Sequence, residues 1–237
     1  MKDIIDLHTH TIASGHAYNT IQEMINAAVA KGIRLLGITE HAPKMPGTCH
    51  EFYFTNLHII PREQQGIRVL FGAELNILNP AGEVDLPERI TEKLDFCIAS
   101  LHPPCMAPGT LQENTSAVIN AMKHPHVRII GHPDDGRFPL DYEAVVAAAK
   151  EYGVILEINN ASLAPDAFRV GARENDQRML KLCEKYQVPV LMGSDAHVTF
   201  ALGVHDAAAE LIAETGISPE LVLNDSVEKV LEYLKKH

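Results

Sequence analysis

Tryptophan is absent from this 237-residue chain, and aromatic side chains make up only 5% of it. Its four cysteines, Cys49, Cys97, Cys105 and Cys183, include no CxxC pair. That disfavours both a thiolate zinc motif and a disulfide scaffold in a chain this long. Positive charge is scarce: 20 Lys plus Arg stand against 31 Asp plus Glu, a formal net charge of −11 with His neutral. Extended nucleic-acid binding is therefore not expected, although a small cationic pocket stays open. No stretch approaches the roughly 18 consecutive apolar residues that mark a bilayer span, and the opening MKDIIDLHTH has no signal-type apolar core. The expectation is a cytoplasmic protein without membrane attachment.

With 46% hydrophobic and 22% charged residues, the chain has enough apolar material for a sizeable core, and no linker or composition shift divides residues 1–237 into a second domain. Short apolar segments alternate with helix-like ones, the order expected of parallel strands joined by crossovers. The strands are expected at Ile4–His8, Arg34–Thr39, Arg68–Leu75, Leu94–Leu101, Val127–His132, Val154–Ile158 and Val188–Gly193. Most are too apolar for a one-sided antiparallel sheet. Crossover helices are expected at Thr20–Lys31, at Asp141–Glu151 with Asp141 as cap, and at Glu174–Tyr186. Two further helices, Ala207–Glu214 and Asp225–Lys235, form the tail, and no eighth strand follows. An α/β fold, a distorted seven-stranded (β/α)7 barrel, is the expected architecture, with an open doubly wound sheet as its rival. Pro43–Thr55 and Pro103–Leu111 are expected to be long site-forming loops.

The conspicuous excess is histidine, 13 residues in all. His8 and His10 are spaced by two, so a strand running through both would put their side chains on one face, where they could approach one metal. His16 follows the small turn Ala13-Ser14-Gly15. His41 closes GITEH, Glu74 closes FGAEL, His102 follows CIASL, His132 follows RIIG, and Asp195 and His197 follow VPVLMGS. Any one of these residues, taken alone, reads better as a cap, a hydrogen-bonding partner or a solvated polar group. Together they share one position at the carboxyl ends of strands, where a parallel sheet brings its loops together, and a metal cluster explains that set better than a core does. His50, His58, His124, His126 and His205 lie outside the pattern and are assigned local roles; His237 is the terminus.

The segments DLHTH, His16, TEH, GAEL, SLH, GHP and GSDAH resemble the polymerase and histidinol phosphatase (PHP) family of metal-dependent phosphoesterases, with coverage from Asp6 to at least His197. HAYNT, LEINN and VLN (Val222–Asn224) make its small bacterial stand-alone phosphatases of the YcdX type the nearest resemblance. This implies three metals in a cleft at the carboxyl ends of a distorted seven-stranded barrel. Carried over residue by residue, His8, His10, Glu74 and Asp195 would surround one metal, and Glu74, His102 and His132 a second, with Glu74 bridging. His16, His41 and His197 would hold the third. Glu40 stands where some relatives carry Asp in TDH, beside His41 and not in place of a ligand.

Imidazole and carboxylate donors suit zinc first, with manganese or iron as alternatives. Metal-activated hydroxide attacking a small phosphomonoester needs no Ser or Cys nucleophile, and Glu74 and Asp195 are the carboxylates assigned to catalysis. Arg137, Arg169 and Arg173, with Arg62 behind them, are candidates to clamp phosphate. The alternatives are phosphodiester or nucleotide-end hydrolysis, histidinol phosphate as the specific substrate, amidohydrolase chemistry, and a non-catalytic metal-binding module. The sequence contains no reading of oligomeric state.

Overall fold

A computed structural model describes residues 3–235; His237 lies outside them. Seven strands run parallel in the order β1 (Ile5–Asp6), β2 (Leu35–His41), β4 (Ile67–Asn76), β5 (Cys97–Ser100), β6 (Val127–Ile130), β7 (Ile155–Asn159) and β8 (Val190–Gly193). A short β3 (Glu63–Gln64) pairs antiparallel with β4 through a hairpin. The crossovers carry α1 (Ile21–Lys31), α2 (Glu51–Asn56), α3 (Glu88–Thr91), α4 (Leu111–Met122), α5 (Tyr142–Tyr152) and α6 (Ala172–Tyr186), and α7 (Asp206–Thr215) and α8 (Val227–Lys235) follow β8.

The sheet curls into a nearly closed barrel, so the open-sheet alternative falls. At the seam β1 and β8 are too short to form a ladder, and side chains take its place. Asn224 accepts from the Met192 amide at 2.8 Å and donates to the carbonyls of Met192 and Ile5 at 3.0 and 3.1 Å. Asp6 accepts from the Ser194 amide at 3.2 Å and from its hydroxyl at 2.5 Å. Above them Thr9 and Ala196 form an isolated parallel bridge. The paired part of the first strand therefore ends before His8, short of the sequence expectation, because the chain there is held by these contacts and not by a continuous ladder.

Alternation along the strands builds the interior in tiers. On β4 the residues Leu70, Gly72, Glu74 and Asn76 share one face. Leu70 joins Leu35, Ile98, Ile129, Ile155 and Leu191 in a buried floor, which Val230 and Leu234 of α8 plug from below. The next tier holds little bulk. Gly193 is there because a Cβ would come within 2.0 Å of Glu157 Oε1, and Gly131 because a Cβ would come within 2.4 Å of Ser100 Oγ. Polar side chains rise from this hollow tier toward the carboxyl ends of the strands. The larger apolar cluster lies outside, between sheet and helices.

Several boundaries differ from the sequence reading. The segment expected as loop, Pro43–Thr55, ends in α2, and Pro103–Leu111 runs into α4, which the sequence reading did not identify. Thr110 starts α4 with a reciprocal capping box to Glu113. The tail helix begins at Val227, after a short 3-10 turn over Leu223–Asp225 that delivers Asn224 to the seam.

Candidate metal centre

Glu74, fully buried on β4, is ringed by five imidazoles. Its Oε1 lies 3.4 Å from His8 Nε2, 3.2 Å from His102 Nε2 and 2.9 Å from His132 Nε2. Its Oε2 lies 3.5 Å from His10 Nε2 and 2.6 Å from His41 Nδ1. Register explains part of this: His41 and Glu74 are paired across β2 and β4. Asp195 stands beside them, with Oδ1 3.3 Å from His10 Nε2 and 3.6 Å from His8 Nε2. His197 and His16 close the outer end, their Nε2 atoms 3.1 Å apart. All nine residues singled out in the sequence thus gather in one place. Two of them, His132 and Asp195, take positive φ of 31° and 53° just past β6 and β8, an uncommon conformation for non-glycine residues that is often found at functional sites.

The donor atoms fit a bound cation. His8 Nε2, His10 Nε2, His41 Nδ1 and Glu74 Oε2 are buried and, close as they lie to one another and to Asp195, make no hydrogen bond of good geometry, a costly state for a cluster that only had to pack. Three triads, His8–His10–Glu74, His41–Glu74–His102 and His10–His41–His197, each keep their ligand atoms within 4.8 Å of one another. This is a His/Glu cluster capable of binding metal.

The rings are held from behind, mostly by residues the sequence reading did not assign to the site. Glu157 Oε1 is 2.7 Å from His8 Nδ1, Asn76 Oδ1 is 2.7 Å from His102 Nδ1, and Ser14 Oγ is 3.1 Å from His10 Nδ1. The Asp195 carbonyl lies 2.9 Å from His197 Nδ1. With Nδ1 engaged, each Nε2 points inward, the usual arrangement behind a ligating histidine. Glu40 anchors the Ser14 hydroxyl at 2.6 Å and also accepts from Thr11 and Tyr53. An acid inside the apolar run Val154–Ile158 was the available signal for Glu157.

Burial by itself would raise the Glu74 carboxyl, but the charge of His102, His41 and His8 overrides it and holds Glu74 well below its usual range. Asp195 follows the same pattern, with His8, His10 and Arg169 overcoming burial. Burial lowers His102 to about 4, despite Glu74 beside it, and burial with neighbouring His41 and His197 also lowers His10. His8 goes the other way: the carboxylates of Glu157, Glu74 and Asp195 outweigh burial and raise it. The result is ionised carboxylates among imidazoles of mixed protonation, a set that a cation would order.

The arginines separate. Arg169 donates to Asp195 Oδ2 at 3.0 Å, to Asn159 Oδ1 at 3.2 Å and to Ser162 Oγ at 3.0 Å, and it lines the cleft above the cluster. Arg137 also lines the cleft and grips Asp135 through Nε and Nη2. Arg173 does not line it; it pairs at 2.6 Å with Glu214. Arg62 sits by β4, bonded to Asp95 and to the carbonyls of Leu57 and Ile60. No helix among the described residues is long and apolar enough to cross a membrane.

Residues 6–214 match the PHP domain. A "probable phosphatase" of Clostridium acetobutylicum is 46% identical over 235 residues, covering 99% of this chain and 96% of that protein. One from Thermoanaerobacter sp. (strain X514) is 47% identical over 237 residues, covering 100% and 96%. Among solved structures, the histidinol phosphate phosphatase of Lactococcus lactis, complexed with zinc, L-histidinol and phosphate, matches with a TM-score of 0.62. That match covers 91% of this chain and 95% of the other at 15% identity, a likeness of fold. The chain belongs to the PHP domain family. It is an enzyme, a phosphatase of that family.

Proposed function

We propose that this protein hydrolyses small phosphomonoesters with three divalent metals, zinc foremost, held by the nine clustered residues. His8, His10, Glu74 and Asp195 would hold one metal, Glu74, His102 and His132 a second, and His16, His41 and His197 the third. The observation that carries this reading is the ring of five imidazole nitrogens within 3.5 Å of the Glu74 carboxylate. Bound metals of this kind supply hydroxide at neutral pH and polarise phosphoryl oxygens.

The chain's own residues do the rest. Glu74 Oε1 faces His8, His102 and His132 and its Oε2 faces His10 and His41, so one carboxylate ties residues of all three ligand groups together. Asp195 has Oδ2 fixed by Arg169 and Asn159, which leaves Oδ1 facing His8 and His10, placed to orient the attacking water. Arg169 is held by that same carboxylate and presents charge to the cleft, where it balances a phosphate dianion. Water and ester are consumed, and alcohol and inorganic phosphate leave.

The test is chelation, reconstitution with zinc or manganese, and assay of alcohol release from a panel of monoesters and diesters. Activity that returns with metal and favours monoesters is the expected result. Metal-replete protein, with occupancy verified by mass spectrometry, that cleaves no monoester would sink the reading.

A further inference from the structure

The cleft above the metal cluster has a volume of about 550 Å³, within the range of small-molecule pockets and far more than a phosphoryl group fills. Its buried lining is polar at His41, His102 and Asp195 and apolar at Met45 and Leu101, while Pro103, Pro104 and Phe168 are its exposed apolar members. Phe168 is the unusual member, because it is 69% exposed while lining this cleft. A single exposed Phe is ordinary on a protein surface, but this one is clamped. The guanidinium carbons of Arg137 and Arg169 lie 5.0 and 5.1 Å from its ring centroid, cation–π distance in both cases.

Both cations are already engaged, Arg137 by Asp135, and Arg169 by Asp195 and, in the reading above, by the phosphoryl group. The rim around Phe168 therefore offers an exposed aromatic ring held by two guanidiniums, and no unpaired charge among these groups for a second anion. An uncharged planar ring packs against its exposed part at little ordering cost. We infer that Phe168 is a specificity-determining residue that selects phosphomonoesters of uncharged aromatic alcohols, with the phosphoryl group at the cluster and the ring against Phe168. This rests on the phosphatase reading above.

Benzyl phosphate and ethyl phosphate have leaving alcohols of similar acidity and differ mainly in the ring. Holoenzyme is expected to favour benzyl over ethyl phosphate about tenfold in kcat/KM, chiefly through KM. That ratio should collapse toward one in Phe168→Ala and return in Phe168→Tyr. An unaltered ratio in Phe168→Ala overturns the inference, as does a wild-type ratio near one. Calorimetric titration with benzylphosphonate and ethylphosphonate, which are not hydrolysed, gives an independent readout. Phe168-dependent discrimination of the phosphonates without ester hydrolysis would keep the subsite and defeat the phosphatase reading. Hydrolysis without discrimination would do the reverse, and neither hydrolysis nor discrimination defeats both.

Discussion

The side chain of Asn224 is bonded to both backbone groups of Met192, accepting from its amide at 2.8 Å and donating to its carbonyl at 3.0 Å. A third bond, to the Ile5 carbonyl, makes one amide serve where two strands fail to reach each other. Asn224→Ala leaves a buried amide and two carbonyls without that partner. The expected loss is about 3 kcal/mol or more, taking about 1–3 kcal/mol for each of the three buried groups. Urea denaturation measures it, and a loss under about 1 kcal/mol would show the seam to be held by other contacts.

Glu157 meets donors at both ends, His8 Nδ1 at Oε1, and the His132 amide and Asn159 Nδ2 at Oε2. Glutamine can satisfy only one end, so Glu157→Gln turns an NH2 group toward a donor. Metal affinity is expected to fall about 10–100-fold, the usual effect of losing a partner behind a ligating histidine. Competition with a chromophoric chelator reads this directly. Unchanged affinity would mean that His8 is oriented without Glu157.

Gly193→Ala attacks the same contact from the other strand. Its Cβ would lie 2.0 Å from Glu157 Oε1 and 3.2 Å from His8 Cβ. Overpacking of this kind costs about 1–3 kcal/mol, and metal affinity should fall alongside stability. Wild-type stability together with wild-type affinity would show that the hollow tier has slack.

His205 is buried, and burial would lower its pKa, but Asp3 and Asp6 raise it to about 10 from the ordinary 6.5. A group raised on folding contributes stability that is complete below the unfolded pKa and is lost as pH rises through the folded one. Folding stability should therefore decline between about pH 6.5 and 10 by an amount that His205→Gln abolishes. Parallel pH-dependent denaturation of the two proteins settles this; identical slopes would remove the charged pair from the account.

Spacing made part of this architecture readable. Apolar strands at regular intervals gave the barrel, and histidines just past them marked its upper end. The supporting groups were less readable, each for its own reason. Asp6 and Asn224 act across a seam between distant parts of the chain, with no local pattern to announce it. The start of α4 is polar, Leu111-Gln112-Glu113-Asn114-Thr115, and follows a proline-rich loop; only Thr110 and Glu113 signal the cap. Arg169 and Arg173 lie four residues apart and look alike in sequence. The chain turns into α6 between them, sending one guanidinium into the cleft and the other to Glu214.

Arg169 and Phe168 are neighbours on one loop, one buried against Asp195 and the other facing solvent. Consecutive side chains thus divide two kinds of freedom. Exchange at 168 changes what lies along the cleft wall, whereas exchange at 169 strips a buried carboxylate of its counter-charge. Paralogues that diverge in preference can be expected to vary at the first position and keep the second. Wholesale transplantation of the loop would carry both effects together, so engineering of this cleft is better done one residue at a time.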